Sequence, residues 1–204
     1  MNRRKKDSHI RPHLIVLALV TLVVTGLIAR VGTMSGTEQA VFYRFYDLST
    51  NLRLLMLALT LTGSTWMIIV LTCVLFASRK RLPALYVLIT GLITVLATEC
   101  IKVIVARPRP FELLTDVTSR ERFVVGMGFP SGHTAVTTAV AIVLSAHIPK
   151  RWRALLVLWV VAVGLSRMYL GVHAPLDVIG GIAVGIIVGF GLQEIWPRLS
   201  RALK

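Results

Sequence analysis

A stretch near the C-terminus, from Ser166 to Asp177, carries three side chains suited to chemistry: Arg167, His173 and Asp177. The stretch joins two apolar runs, so these groups lie at a predicted membrane boundary, where a charged side chain is costly. Because His173 and Asp177 are four residues apart, a helical turn would place the carboxylate beside the imidazole. A carboxylate in that position fixes the tautomer of the ring and makes its free nitrogen more nucleophilic.

A second polar cluster, Ser131, Gly132 and His133, stands directly before another apolar run. Ser131 is of a residue type that caps helix N-termini, and the N–H groups of the turn after it would lack acceptors within the helix. Together with the positive end of the helix dipole, these groups form a predicted anion site.

Three permanent cations, Lys102, Arg109 and Arg167, are predicted at the same membrane face as these clusters. A helix N-terminus surrounded by fixed cations indicates a ligand with several negative oxygens, for which phosphate is the natural candidate. Each residue alone also has a simpler explanation. Lys102 can pair with Glu99, Arg107 and Arg109 can contact lipid phosphates, and Arg167 can snorkel. His133 and His173 can be structural. The shared location favours one functional site over these separate uses.

The elements that position these residues are predicted to be membrane spans. Of 204 residues, 55% are apolar and 16% charged, and the mean hydropathy is +0.77, which is typical of an integral membrane protein. Six segments approach the ~20 residues that a span requires. They predict an all-α bundle of six transmembrane helices in a single domain over residues 1–204, with spans at 14–31, 54–77, 82–105, 132–148, 154–170 and 177–195.

The net charge of +14 is concentrated in four basic clusters, which hold 14 of the 23 Lys and Arg residues: 3–11, 79–81, 150–153 and 198–204. All four fall on the side of the two termini, so the positive-inside rule predicts that both termini are cytoplasmic. The clusters are then topology signals that also attract anionic lipids, and nucleic-acid binding is not expected. The candidate site would face the periplasm or exterior of the cytoplasmic membrane.

The connection over residues 37–53 has apolar residues at helical spacing, which predicts a short helix in the membrane interface. The predicted apolar stripe consists of Val41, Phe45, Leu48 and Leu52.

The last apolar run carries Gly181, Gly185 and Gly189 at intervals of four, a spacing that lets helices approach closely. We expect this packing inside the monomer, and the sequence leaves the oligomeric state open.

Cys73 and Cys100 fall in different runs near opposite membrane faces, so no disulfide is expected. The first run lacks a small-residue cleavage site and is interpreted as a retained span rather than a signal peptide.

The polar clusters resemble the signature of the type-2 phosphatidic acid phosphatase superfamily, the lipid phosphate phosphatases. Its motifs are Lys-x6-Arg-Pro, then Pro-Ser-Gly-His, then Ser-Arg-x5-His-x3-Asp. They read here as Lys102 to Pro110, Pro130 to His133 and Ser166 to Asp177. All three motifs are complete and in order. Arg107-Pro108 duplicates Arg109-Pro110, and the spacing favours Arg109 as the motif arginine, with Arg107 either assisting or merely adjacent.

The resemblance implies an integral membrane phosphatase that uses no metal and no other cofactor and forms a phosphohistidine intermediate. His173 would attack phosphorus with Asp177 orienting it, and His133 would protonate the leaving oxygen and then activate water. The phosphoryl oxygens would be held by Lys102, Arg109, Ser131, Gly132 and Arg167. Fixed cations and N–H donors suit the charge that spreads over these oxygens.

The expected substrate is a lipid phosphate or diphosphate, held among membrane lipids. The resemblance favours undecaprenyl diphosphate or phosphatidylglycerophosphate, with phosphatidate or a lipid A phosphate as further options. One alternative is a phosphotransferase that passes the phosphoryl group to another lipid through the same site. A second is a channel or anionic-lipid binding protein without chemistry. The His173–Asp177 pair and His133 argue against it, because binding alone needs no proton-transfer groups. A vanadate haloperoxidase, which shares the anion site, is remote because such enzymes are soluble.

Overall fold

The computed structural model describes the backbone of residues 10–202 and the side chains of residues 12–197. In this part of the chain, nine α-helices and two 3-10 turns follow one another. The helices are α1 (Ile10–Ala29), α2 (Gly36–Tyr46), α3 (Arg53–Leu61), α4 (Thr65–Ala77), α5 (Arg81–Val105), α6 (Pro110–Leu113), α7 (Gly132–Ser145), α8 (Arg153–Tyr169) and α9 (Pro175–Ala202). The turns Thr50–Leu52 and Lys150–Trp152 lead into α3 and α8. The predicted all-α class is confirmed.

Four stretches of the described residues are long and apolar enough to cross a membrane: Pro12–Ala29, Arg81–Leu113, Lys150–Tyr169 and Pro175–Pro197. A fifth crossing results if Thr50–Leu61 and Thr65–Ala77, which are bent by 55° at a break, form one span. Helix α7, the predicted fourth span, is a shorter apolar helix of 14 residues. The chain is therefore a helical membrane protein, and its described residues contain four or five candidate apolar spans. The side chains of the basic clusters 3–11 and 198–204 lie outside the described residues.

Helices α7 and α9 pack closely because glycines line their contact. A Cβ on Gly181 would lie 2.5 Å from the carbonyl oxygen of Ser131, and one on Gly185 would lie 2.6 Å from that of Ala135. A side chain at either position would collide with the backbone of α7, so the two helices approach as only glycine allows. The predicted use of these glycines, packing within one chain, is confirmed. This glycine seam aligns the first turn of α7 with the first turn of α9.

The end of the bundle opposite these first turns is closed by an apolar core that α4, α5, α7 and α9 share through Ile68, Val87, Val140 and Leu192. There the ring of Trp196 stacks on Tyr86 with ring centroids 4.3 Å apart. Cys73 and Cys100 are both free, as predicted.

Helix α2 is the short helix predicted after the first span, but it ends at Tyr46 instead of continuing toward residue 53. The predicted stripe is therefore divided between α2 and the segment that follows. Val41 and Leu48 of that stripe are 43% and 40% exposed on the protein surface, which suits apolar side chains that face the membrane interface. The side chains that α2 buries are Glu38, Phe42 and Tyr46, so a carboxylate that the stripe did not include lies in the protein interior.

Candidate active site

Six of the eight predicted site residues line one cavity of about 410 Å³. The cavity lies where the ends of α5, α7 and α8 meet the loops that follow α6 and α8. The six residues are Lys102, Arg109, Gly132, His133, Arg167 and His173. The other two, Ser131 and Asp177, are buried outside its lining, each with an exposed fraction of 0%. Three clusters that are distant in sequence thus share one cavity.

His173 precedes α9 and is not part of the helical turn that its spacing to Asp177 predicted. The helix begins at Pro175, and Oδ2 of Asp177 reaches back to accept a hydrogen bond from the N–H of Ala174 at 2.8 Å. The same oxygen lies 3.5 Å from Nδ1 of His173, which is longer than a strong hydrogen bond. The carboxylate therefore lies beside the imidazole, as expected, but through a helix-capping arrangement.

The other ring nitrogen of His173, Nε2, lies 3.4 Å from Nη1 of Arg109. Because an arginine can only donate, the hydrogen-bond network assigns Nε2 as unprotonated and Nδ1 as the nitrogen that carries the proton toward Asp177. Burial, together with the charges of Arg109, Arg167 and Lys102, lowers the pKa of His173 well below its ordinary 6.5. The ring is neutral near pH 7, and a neutral nitrogen has the lone pair that nucleophilic attack requires.

Arg109 directs three of its nitrogens to backbone carbonyls. Nε donates to Gly126 at 2.8 Å, Nη2 to Val125 at 2.8 Å, and Nη1 to Val172 at 3.0 Å. Arg109, which was predicted to bind phosphate, thus also joins the loop after α6 to the loop that carries His173.

The two remaining cations are each paired with a glutamate. Nζ of Lys102 lies 2.7 Å from Oε1 of Glu99, the pairing that its spacing allowed. Nη2 of Arg167 lies 2.8 Å from Oε2 of Glu121 in the loop after α6, and Nη1 donates to Oγ1 of Thr60 on α3. Glu121 and Thr60 were missed by the sequence analysis because they lie outside the three motifs. An arginine buried at a span end does, however, require some such partner.

The start of α7 has the predicted cap. The hydroxyl of Ser131 accepts hydrogen bonds from the backbone N–H of Thr134 at 3.5 Å and from its Oγ1 at 3.0 Å. The N–H of Ser131 donates to the carbonyl oxygen of Asp177 at 2.9 Å, which joins α7 to α9. The N–H groups of Gly132 and His133 occupy the first helical turn, where no carbonyl of the same helix can accept from them. Both residues line the cavity, so this helix end is available to an anion.

Arg107, which the sequence left without a definite role, is fully buried and links two carboxylates. Its Nη1 donates to Oδ1 of Asp177 at 2.9 Å and to Oε1 of Glu38 at 3.0 Å, and Nη2 donates to Oε2 of Glu38 at 2.6 Å. Glu38 belongs to the connection that was predicted to form an interfacial helix. An acidic residue beside membrane spans needs a cationic partner if it is buried, and this was the signal in the sequence for the contact with Arg107.

The groups that converge on the cavity are two imidazoles, three cations and a helix N-terminus. This set suits a ligand with several negative oxygens, and a buried neutral histidine adjoins the place such a ligand would occupy. Among the described residues, no group of three or more His, Cys, Asp or Glu side chains could hold a metal ion. Fold and site together define a helical membrane protein with a histidine-containing anion cavity.

The chain matches the PAP2 superfamily over residues 82–201, which is more than half of its length. It therefore belongs to the PAP2 superfamily and is a membrane phosphatase of that family. The matched region contains all eight predicted site residues. Glu38 and Thr60, the partners contributed by α2 and α3, lie before it.

Among related sequences, an undecaprenyl-diphosphatase of Sulfolobus acidocaldarius is 31% identical over 146 residues, which cover 71% of either protein. The undecaprenyl-diphosphatase BcrC of Bacillus subtilis is 33% identical over 67% of this chain and 63% of its own length. The crystal structure of Aquifex aeolicus LpxE aligns with a TM-score of 0.65 and 29% identity, over 76% of this chain and 94% of that one. A PAP2-type phosphatidylglycerolphosphate phosphatase of Bacillus subtilis has the same fold, with a TM-score of 0.67 and 24% identity over 91% of this chain and 96% of that one.

Proposed function

We propose that this protein hydrolyses a lipid phosphate or diphosphate at the outer face of the cytoplasmic membrane through a phosphohistidine intermediate, without a metal ion. One observation carries the proposal: His133 and His173 line the same cavity as Lys102, Arg109 and Arg167. Binding an anion would require the cations alone. Two histidines beside them supply a nucleophile and a proton donor, which only a reaction uses.

In the first step, the lone pair on Nε2 of His173 forms a bond to phosphorus. The bond from phosphorus to the leaving oxygen breaks, its electron pair stays on that oxygen, and His133 donates a proton to it. Asp177 stabilises the positive charge that His173 acquires. The phosphoryl oxygens are held by Lys102 and Arg167, by the edge of Arg109 and by the N–H groups that open α7, with Ser131 fixing that helix end.

In the second step, His133 removes a proton from a water molecule whose oxygen attacks phosphorus. The bond between phosphorus and Nε2 breaks, its electron pair returns to the ring, and inorganic phosphate leaves. One histidine thus acts first as acid and then as base, so the site returns to its initial protonation state.

The substrate we favour is undecaprenyl diphosphate, with phosphatidylglycerophosphate as the next candidate. The first two relatives described above are named undecaprenyl-diphosphatases, and another relative, 30% identical, is phosphatidylglycerophosphatase B of Bacillus subtilis. The cavity recognises the phosphate, which all these lipids share. Discrimination among them would come from the apolar surface around the site.

We infer a single membrane-embedded domain that crosses the bilayer six times, with α3 and α4 as one bent span and α7 as a short one. The positions of the basic clusters support an orientation with both termini in the cytoplasm and the cavity on the opposite face. Cysteines introduced singly at residues 122 and 151 of a variant lacking Cys73 and Cys100 test this topology. An impermeant maleimide added to intact cells should label the first position and leave the second unlabelled, and the reverse pattern would contradict the orientation.

The function itself is tested with purified protein and a panel of lipid phosphates and diphosphates, with His173→Ala as the blank. We expect phosphate release by the wild type alone, unaffected by EDTA, and an acid-labile phosphoenzyme after rapid quenching. Adding a second lipid as acceptor distinguishes hydrolysis from phosphotransfer. Loss of activity in EDTA, or turnover without any trapped phosphohistidine, would contradict the metal-free covalent route.

A further inference from the structure

Three charged side chains are buried together behind His173, on the side away from the cavity lining. The side chains of Arg107 and Asp177 have an exposed fraction of 0%, and that of Glu38 is 6% exposed. Buried charges of this kind are strongly destabilising unless each has a partner, so every member of the cluster constrains the others. Glu38 comes from α2, the helix that was predicted to lie in the membrane interface.

The cluster fixes the orientation of the Asp177 carboxylate. Oδ1 accepts from Nη1 of Arg107 at 2.9 Å, while Oδ2 accepts from the N–H of Ala174 and faces Nδ1 of His173. With one oxygen held by the guanidinium, the other cannot rotate away from the imidazole without breaking an ion pair. The position of Arg107 therefore determines which oxygen meets the histidine.

Glu38 in turn fixes Arg107 and the start of α9. Both of its oxygens accept from the guanidinium, and Oε1 also accepts from the N–H of Leu176 at 3.1 Å. That N–H belongs to the first turn of α9 and has no acceptor within the helix. Nη2 of Arg107 also donates to the carbonyl oxygen of Thr33 at 3.1 Å, before α2. The segment around α2 thus supplies three of the acceptors that hold the guanidinium.

The charges of the cluster sum to one negative charge: one cation in Arg107 and two anions in Glu38 and Asp177. Without Glu38, the guanidinium would cancel the charge of Asp177. Attack by His173 on phosphorus makes its ring cationic, and a net negative charge beside the ring stabilises that state. Glu38 thus preserves the electrostatic effect of Asp177 while Arg107 keeps it in place.

We propose that Glu38 and Arg107 are positioning residues for the reaction, which act on His173 through Asp177. This inference rests on the proposed function, and it makes α2 part of the catalytic apparatus. Arg107 cannot bind the substrate phosphate itself, because it is fully buried and absent from the cavity lining. The two arginines of this motif therefore have different tasks: Arg109 faces the cavity, and Arg107 faces away from it.

The test compares Glu38→Gln with the wild type in two assays, one of which needs no turnover. We expect kcat to fall at least about 10-fold, as when partners behind reacting groups are removed, with KM within about 2-fold. In 15N-histidine NMR, the wild type should hold His173 as the Nδ1–H tautomer, and Glu38→Gln should give a tautomer mixture. A His173→Gln sample assigns the signal. Asp47→Asn, which removes an exposed carboxylate at the end of the same helix, should match the wild type in both assays.

Folding is controlled with a second variant, Arg107→Lys, which keeps a cation between Glu38 and Asp177 and so leaves neither carboxylate without a charged partner. We expect it to fold even where Glu38→Gln does not, and still to lose at least about 10-fold in kcat, because a lysine lacks the fork that holds both carboxylates at once. Wild-type kcat and an unchanged tautomer in either folded variant would overturn the proposal. If the wild type hydrolyses no lipid phosphate, the proposed function fails, and the NMR comparison still decides whether Glu38 positions His173.

Discussion

Two clusters of charged side chains, one behind the cavity lining at His173 and one within the lining, pair their charges in different ways. In the buried wall (Glu38, Arg107, His173 and Asp177), each ionised side chain is at most 6% exposed, and every ion pair is enclosed by protein. In the open wall (Glu99, Lys102, Glu121 and Arg167), the cations are 12% and 3% exposed, while their glutamate partners are 59% and 22% exposed.

This difference suits the two clusters to different tasks: the buried wall positions His173, and the open wall can exchange its glutamates for substrate oxygens. A buried ion pair cannot lose one partner without leaving an uncompensated charge, so the buried wall keeps a single geometry. The glutamates of the open wall contact water, so solvent screens the Glu99–Lys102 pair and part of the charge in the Glu121–Arg167 pair. We infer that phosphate oxygens replace Glu99 and Glu121 when substrate binds, while nothing in the buried wall changes partner.

The largest effect on the buried wall is expected from Asp177→Asn. The amide keeps the shape of the side chain but removes the charge that stabilises a cationic His173, and it leaves Arg107 with one carboxylate fewer. We expect kcat to fall about 10²- to 10⁴-fold. The measurement is phosphate release from the best lipid substrate at saturation. Asp116→Asn, remote from the cavity lining, is the control, and near-wild-type kcat for Asp177→Asn would show that the buried wall is not catalytic.

His133→Ala tests the residue that lies between the walls. It should slow turnover about 10²- to 10⁴-fold by removing the proton donor and the base for water. With a substrate whose leaving group needs no proton, attack by His173 continues but water is not activated, so phosphoenzyme should accumulate above the wild-type level. Acid-sensitive radiolabel on the protein after quenching measures it. A variant that neither turns over nor accumulates label would assign His133 to the first step alone.

The next effect concerns the glycine seam between α7 and α9, which aligns the helix ends that carry His133 and Asp177. In Gly185→Ala the added methyl group meets the backbone of α7, with the nearest carbonyl oxygen, that of Ala135, at 2.6 Å. We expect the free energy of unfolding to fall by about 1–3 kcal/mol, measured by thermal or denaturant unfolding in detergent. In Gly191→Ala the new Cβ has no neighbour within 4 Å, so stability should not fall. Equal stability of the two variants would show that the seam can relax.

Much of this arrangement could be predicted from sequence, because each prediction depended on a local rule. The length of the apolar runs identified the long helices, and the capping preference of serine identified the role of Ser131. The spacing of the motifs identified the residues that line the cavity. The same rules also limited the result. The bend between α3 and α4 and the short α7 follow from packing against neighbouring helices, which hydropathy over a window does not register.

The buried wall was only half predictable for the same reason. His173 and Asp177 are close in sequence, but their supports, Arg107 and Glu38, come from segments that no local pattern joins to them. Helical periodicity identified the apolar stripe of α2 for the membrane interface, and it gives no sign of which side chains the helix buries in the protein. Glu38 is among those it buries, and a buried carboxylate is tolerated only because a guanidinium from another segment meets it.

The smallest predicted effect separates the two glutamates of the open wall. Glu121→Gln removes the carboxylate that competes with phosphate for the buried Arg167, so inorganic phosphate should inhibit at about 3- to 5-fold lower concentration, the range that one partly screened ion pair allows. Glu99→Gln should change inhibition less than about 2-fold, because an exposed pair three residues apart on a helix contributes little. The measurement is the phosphate concentration that halves lipid hydrolysis at a fixed substrate level. Weaker inhibition in Glu121→Gln would mean that Glu121 holds Arg167 in the conformation that binds phosphate, and the open wall would then be as fixed as the buried one.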